Sequence, residues 1–226
     1  MASFALITEG ESDQAVLERL IYTIVEKNLD EDVDVTRLQP AADATERARL
    51  GLQKCFGGWG EVLKYCSDTQ KLRDTLKYND YIIIQLDTDI CEEEAFNIPR
   101  TVGGVERPPI DIINDIESAL RGAIDADLFQ ECQDKFIFAI SVHSIECWFL
   151  PYLATQAAAK TATQSCHAKL QIIMNKLDRK LIKDFDCYEE ISSCLKKYSE
   201  VMRHKSLCFS LERFVDRLDS IRAVEA

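Results

Sequence analysis

The sequence predicts an α/β fold: a parallel four-stranded sheet flanked by helices, with a helical C-terminal extension. Strand-like and helix-like segments alternate in the order β-α-β-α-β-α-β before a C-terminal region that shows only helical periodicity. This alternation is typical of a parallel sheet covered by helices. The unbroken apolar run Tyr81-Ile82-Ile83-Ile84 indicates a strand that is buried on both faces, as in the middle of such a sheet.

The first strand and the first helix follow from the N-terminal pattern. Residues 4–8 are predicted as a strand, and residues 12–27 as an amphipathic helix, because apolar side chains recur there at helical spacing. Ser12 or Asp13 would be a suitable N-cap for this helix. The segments that follow are a half-exposed strand at 32–38, a helix at 44–54, a glycine-rich turn at 57–60 and a helix at 68–78.

The second half of the core carries the clearest strand, at 80–86. A loop at 90–108, a helix at 109–130 and a fourth strand at 135–142 come next, and helices are predicted at 165–178, 186–202 and 207–222. We therefore expect an α/β core over residues 1–150 and a helical extension over residues 151–226 that packs on this core.

Composition limits the classes of protein that fit. The chain has 226 residues and a formal net charge of −12, and this charge opposes non-specific contact with nucleic acid unless a local basic patch or a basic partner protein provides it. The nine cysteines are odd in number and contain no CxxC pair, so we expect no disulfide framework and mostly buried, reduced thiols. Neither a signal peptide nor a membrane-spanning run is visible, and a cytoplasmic location is expected.

Acidic side chains follow two of the predicted strands. Glu9 comes after the first strand and Asp13 lies four residues further on, while Asp87 and Asp89 follow the strand at 80–86. In open α/β sheets, ligands bind at the carboxyl edge of the strands. Several carboxylates at that edge repel each other unless a hard cation such as Mg²⁺ lies between them. The sequence therefore predicts a metal site.

Three motifs in this order resemble those of Toprim domains. They are Ile7-Thr8-Glu9-Gly10-Glu11-Ser12-Asp13, then Leu86-Asp87-Thr88-Asp89, and then Ser144-Ile145-Glu146-Cys147-Trp148-Phe149-Leu150. The first motif, with an acid four residues after the glutamate, looks most like the branch of overcoming-lysogenisation-defect nucleases. The third is similar to a stretch in small bacterial Toprim-like defence proteins. The resemblance covers residues 3–150.

The resemblance implies a Toprim-like core that holds Mg²⁺ or Mn²⁺ through Glu9, Asp87 and Asp89, with Asp13 assisting. Glu146, just past the fourth strand, is a further candidate ligand. A nuclease of this type would also need a cation near the scissile phosphate. Lys205 is the candidate for this role, because it belongs to the only dense basic cluster in the C-terminal half, at 203–205.

The function implied by the resemblance is divalent-metal-dependent phosphodiester chemistry on nucleic acid, as a nuclease with a possible role in phage defence. A non-catalytic Toprim-like subunit that partners or regulates an ATPase is the main alternative. A dehalogenase-type phosphatase also uses Asp-x-Asp after a strand. It usually has Thr or Val where this chain has Cys91, and its acidic strand comes first. A glycosyltransferase and a receiver domain fit less of the pattern.

Overall fold

A central sheet of four parallel strands organises the molecule. The computed structural model describes residues 1–41 and 57–222. The strands lie in the order β2-β1-β3-β6, so β1 and β3 are the two central strands. The sheet strands are β1 (Ser3–Ile7), β2 (Asp34–Gln39), β3 (Tyr81–Asp87) and β6 (Phe136–Ser141). A separate antiparallel hairpin joins β4 (Thr101–Val102) to β5 (Val105–Glu106).

Helices precede, connect and follow these strands. The helices that cover the core are α1 (Glu11–Ile21), α2 (Lys27–Leu29), α3 (Trp59–Cys66), α4 (Thr69–Tyr78), α5 (Pro109–Ala123) and α6 (Ala126–Cys132). The C-terminal helices are α7 (Leu150–Leu153), α8 (Ala157–Lys160), α9 (Cys166–Lys176), α10 (Phe185–Ile191), α11 (Tyr198–His204) and α12 (Phe209–Asp219). The predicted fold class, a parallel four-stranded sheet with flanking and C-terminal helices, is confirmed.

Each face of the sheet is covered by its own hydrophobic cluster. Because side chains alternate along a strand, Phe4 and Leu6 face one cluster, whereas Ala5 and Ile7 face the other. The first cluster combines these strand residues with apolar residues of α1 and of the C-terminal helices. The second is closed by helices α3 to α6. The C-terminal helices therefore build part of the core that supports β1.

Trp148 anchors this C-terminal cover. Its side chain is fully buried and stacks on Phe214 of α12 at a centroid distance of 5.4 Å. Its indole N–H donates a hydrogen bond of 2.9 Å to the hydroxyl of Ser210. An aromatic ring that is both packed and hydrogen-bonded fixes orientation as well as burial. It therefore ties the segment after β6 to the last helix.

Several predicted boundaries and caps are wrong. The helix predicted at 109–130 breaks between α5 and α6, where Asp125 caps the new helix by accepting from the N–H of Leu128. The segment 186–202 also divides, because a 3₁₀ turn at Ser192–Leu195 separates α10 from α11. Neither Ser12 nor Asp13 is an N-cap, since α1 already begins at Glu11. The turn expected at 57–60 extends only to Gly58, and the helix predicted at 44–54 lies outside the described residues.

One expectation about the cysteines also needs correction. Cys147 and Cys166 form a disulfide, which the scattered spacing of the cysteines did not predict. The two residues are 19 positions apart and meet because the segment after β6 turns back to the start of α9. Within the parts of the chain that the structure describes, no helix is both long and apolar enough to cross a membrane.

Candidate functional site

The candidate site lies at the carboxyl edge of the two central strands. Glu9 follows β1 and Asp87 ends β3, and these strands pair in parallel up to Ile7 and Ile84. The chain leaves β1 for β2 on one side and later enters β3 on the other side. The order of strands thus reverses between β1 and β3, which is where open α/β sheets form a ligand-binding crevice.

A short hydrogen-bond network joins the two strand ends. The backbone N–H of Asp87 donates to Oε1 of Glu9 at 3.0 Å. The side chain of Gln85 accepts from the N–H of Glu9 at 3.1 Å and donates to Oδ1 of Asp87 at 3.0 Å. Ser141, at the end of β6, donates its hydroxyl to the same Oδ1 at 2.8 Å. These contacts fix the positions of both carboxylates relative to the sheet.

Gln85 was missed by the sequence analysis, although a signal for it existed. It is a fully buried amide in the middle of an otherwise apolar strand. Buried polar side chains are almost always hydrogen-bonded. Its position two residues before Asp87 therefore indicated an interaction at the strand end.

Asp13 is the third acid near these strand ends. It lies buried in the first turn of α1. Burial, together with the charges of Glu9 and Glu146, raises the pKa of Asp13 to about 8. Burial and the charge of Asp89 likewise raise the pKa of Glu9 to about 7, against the lowering effect of the hydrogen bond from Asp87. Burial and the charges of Asp13 and Glu9 hold the pKa of Asp87 well above its usual range.

Glu146 approaches this group from the segment after β6. Its side chain is 1% exposed, and its Oε1 accepts a hydrogen bond of 2.6 Å from the hydroxyl of Tyr188. The same oxygen forms an ion pair of 3.2 Å with the ammonium of Lys183. Nδ1 of His167 lies 3.1 Å from the same oxygen. Burial would raise the pKa of Glu146, but the polar groups of Ser144, Tyr188 and Lys183 lower it to about 2. Glu146 is therefore charged at neutral pH beside the three acids.

Asp89 lies at the outer side of the site. It is exposed, in a 3₁₀ turn that follows β3, and the guanidinium of Arg100 donates to its backbone carbonyl. Burial raises the pKa of Asp89, whereas the charges of Arg100, Lys183 and His143 oppose this shift. Arg100 is a second site residue that the sequence analysis missed, because nothing in the loop at 90–108 marked it.

The structure thus brings Glu9, Asp13, Asp87, Asp89 and Glu146 into one electrostatic cluster. It places Lys205 differently. The ammonium of Lys205 is paired with Asp216 of α12, and its side chain is only 20% exposed. Lys183, which precedes α10, is the lysine whose charge acts on the acid cluster.

The carboxylate oxygens of this cluster are the type of ligand that a hard divalent cation prefers. Carboxylate oxygens suit Mg²⁺ and Mn²⁺. Burial is the main cause of the raised pKa values of Asp13 and Asp87, and the charges of neighbouring acids add to it. Across residues 1–41 and 57–222, however, no three His, Cys, Asp or Glu side chains already stand close enough together to hold an ion. Metal binding would thus require the carboxylates to approach one another.

Gly57 presses directly on the backbone of Glu9. A Cβ atom at Gly57 would lie 2.3 Å from the carbonyl oxygen of Glu9, whereas one at Gly60 would meet nothing within 4 Å. The N–H of Gly58 also donates to that carbonyl at 2.7 Å. The chain entering α3 thus contacts the end of β1, and this contact leaves no room for a side chain at position 57.

We expect Gly57→Ala to displace Glu9 and to lower the free energy of unfolding by about 1–3 kcal/mol, the usual cost of overpacking. Denaturant titration measures this loss, and Mn²⁺ calorimetry should show weaker binding. Gly60→Ala is the matched control, because α3 has open space there and alanine favours a helix by about 0.5–1 kcal/mol. Equal stability of the two variants would contradict this packing.

The comparisons with known proteins return no relatives. No protein-family model matches the chain, and no curated protein and no solved structure matches it either.

Proposed function

We propose that this chain performs divalent-metal-dependent phosphodiester chemistry on nucleic acid, with Mg²⁺ or Mn²⁺ held by the acid cluster. The supporting observation is that Glu9, Asp13 and Asp87 converge from adjacent elements and raise one another's pKa. A fold that gathers buried carboxylates at such an energetic cost is typical of a functional site. A divalent cation would remove this cost by stabilising the charged forms.

The chain's own residues would position the ligands. Gln85 and Ser141 hold Oδ1 of Asp87, so its other oxygen is left to turn toward an ion. Tyr188 orients Glu146 and keeps it charged. The bound metal would supply an activated water and stabilise charge on the phosphoryl oxygens.

The proposal that the substrate is nucleic acid is based on the Toprim-like order of the three motifs. The electrostatics of the site are compatible with this choice despite the net charge of −12, because Lys183 and Arg100 lie beside the acids. Cations at the edge of an acidic site can receive phosphate groups that the surrounding surface repels. The proposed chemistry therefore needs the metal and these local cations together.

The test begins with metal-free protein prepared in chelator. Calorimetric titration with Mn²⁺ and Mg²⁺ should show binding, and labelled single-stranded and double-stranded DNA and RNA should be cleaved only when one of these metals is present. Absence of metal binding would overturn the proposal. Metal and nucleic-acid binding without cleavage would favour the non-catalytic subunit that partners an ATPase. Hydrolysis of small phosphoesters through a phospho-aspartate at Asp87 would instead indicate a dehalogenase-type phosphatase.

A further inference from the structure

The segment between α9 and α10 carries Lys183 to the acid cluster. Leu181, two residues earlier, is buried in the hydrophobic cluster shared with β1. Asp184, the next residue, caps α10 by accepting from the N–H of Cys187 at 2.9 Å. Lys183 is thus anchored on both sides, and its ammonium lies 3.2 Å from Oε1 of Glu146.

The positive charge of Lys183 affects the pKa of most acids in the cluster. It lowers the pKa of Glu9, Asp13, Asp89 and Glu146. Its side chain remains 59% exposed, so the ammonium lies where the site opens to solvent. One flexible side chain therefore supplies positive charge to a group of five carboxylates.

Glu146 gives a second, independent indication that a cation belongs here. Its Oε2 atom is buried and makes no hydrogen bond of normal geometry within residues 1–41 and 57–222. The side chain is 1% exposed, and its charge acts on Asp13 and Asp87. The carboxylate as a whole is nevertheless held in its charged form, because Ser144, Tyr188 and Lys183 lower its pKa. Oε2 is therefore a charged oxygen that can take one more partner, beside the oxygen that Lys183 contacts.

We propose that Lys183 is an internal counter-ion that takes the place of the metal in the acid cluster, and that a divalent cation binds by displacing it from Glu146. The inference rests on the proposed function only in assuming that these carboxylates bind the metal. Displacement is physically reasonable because a lysine ammonium is a compact charge on a flexible stem. A divalent ion offers twice that charge to the same oxygens, and the released ammonium can reach water without movement of the backbone.

Calorimetry with Mn²⁺ alone tests the competition. Lys183→Gln removes the competing charge and should tighten Mn²⁺ binding by about tenfold, which corresponds to about 1.4 kcal/mol. Lys183→Arg keeps the charge and should bind Mn²⁺ as the wild type does, within about threefold. Lys180→Gln removes an exposed lysine three residues away and is the matched control, with affinity unchanged.

Chemical labelling of the unmodified chain tests the displacement directly. Acetic anhydride acylates free amines, so an ammonium held by carboxylates reacts slowly. Adding Mn²⁺ should increase acetylation of Lys183 several-fold, as measured by mass spectrometry, and should leave Lys180 unchanged. This measurement needs no variant, so it holds even if Lys183→Gln fails to fold.

The outcomes separate the two proposals. If the wild type binds Mn²⁺ while labelling of Lys183 and the affinity of Lys183→Gln do not change, the counter-ion inference is wrong and the metal site stands. If Lys183→Gln binds Mn²⁺ and the wild type does not, the lysine blocks the site instead of being displaced, and the inference is wrong together with the proposed function. If neither protein binds Mn²⁺, both proposals fail.

Discussion

Asp87→Asn is expected to weaken Mn²⁺ binding by at least about 100-fold and to abolish metal-dependent cleavage. Loss of even an outer-shell partner of a metal ligand costs about 10–100-fold in affinity, and Asp87 is proposed as a ligand itself. Asparagine has nearly the same shape, and its carbonyl can still accept from Gln85 and Ser141 as Oδ1 does now. The change therefore removes a charge with little disturbance of the sheet.

The same substitution should have the opposite effect on the stability of the metal-free protein. The charges of Asp13 and Glu9 act against ionised Asp87, so its neutral replacement should raise the midpoint of urea unfolding at pH 8 in chelator. Weaker metal binding combined with greater metal-free stability is the signature of a repulsive ligand cluster. Asp74→Asn on α4 is the control, because Asp74 is exposed and pairs with Lys77 and Gln70 of its own helix. An Asp87→Asn variant that binds Mn²⁺ like the wild type would remove Asp87 from the site.

Without metal, the protein should lose stability as the pH rises from about 5 to 8. Folding raises the pKa of Glu9 to about 7 and that of Asp13 to about 8, from ordinary values of 4.5 and 3.8. A carboxyl group whose pKa is higher in the folded state stabilises that state. This stabilisation is complete at pH values below the pKa of the unfolded state, and it is lost as the pH rises through the pKa of the folded state. For these buried groups together, we expect a loss on the order of several kcal/mol.

At low pH, protonation of Glu146 should reduce the stability of the protein. Its pKa is lowered to about 2 from an ordinary 4.5, so its contribution is present above the ordinary value and is lost as the pH falls toward 2. Urea unfolding in chelator at several pH values should therefore show greatest stability near pH 5. Added Mg²⁺ should flatten the alkaline decline, because the metal stabilises the charged carboxylates. Asp13→Asn should flatten it without metal, and a decline that neither change affects would exclude the acid cluster as its cause.

The strands and their acidic ends could be predicted because local patterns determine them. An unbroken β-branched run such as the one before Asp87 is typical of a strand that is buried inside a sheet. Parallel strands then bring Glu9 and Asp87 to one edge whatever the order of the strands. The position of Asp13 followed from its distance after Glu9, although its predicted role as a cap did not hold. Glu146 could be placed near this edge for the same reason, since it lies in the short turn that comes soon after β6.

The partners of these acids could not be predicted, because they depend on tertiary contacts over long sequence distances. Glu146 meets Lys183 and Tyr188 about 40 positions away, through a turn that no periodicity marks. The disulfide depends on the same return of the chain. The dense basic cluster drew attention to Lys205, but spacing alone cannot show that Asp216 neutralises it.

The shared core of the first and last helices affects the order in which the protein can fold during synthesis. Thr23 donates to the carbonyl of Leu195, and Asn28 donates to Asp219, contacts that span 172 and 191 residues. One face of the sheet therefore stays only partly covered until the C-terminal helices have left the ribosome. Contacts between such distant segments form late and leave apolar surface open to aggregation in the meantime. The nascent chain thus has its acidic ligands long before it has the lysine that neutralises them.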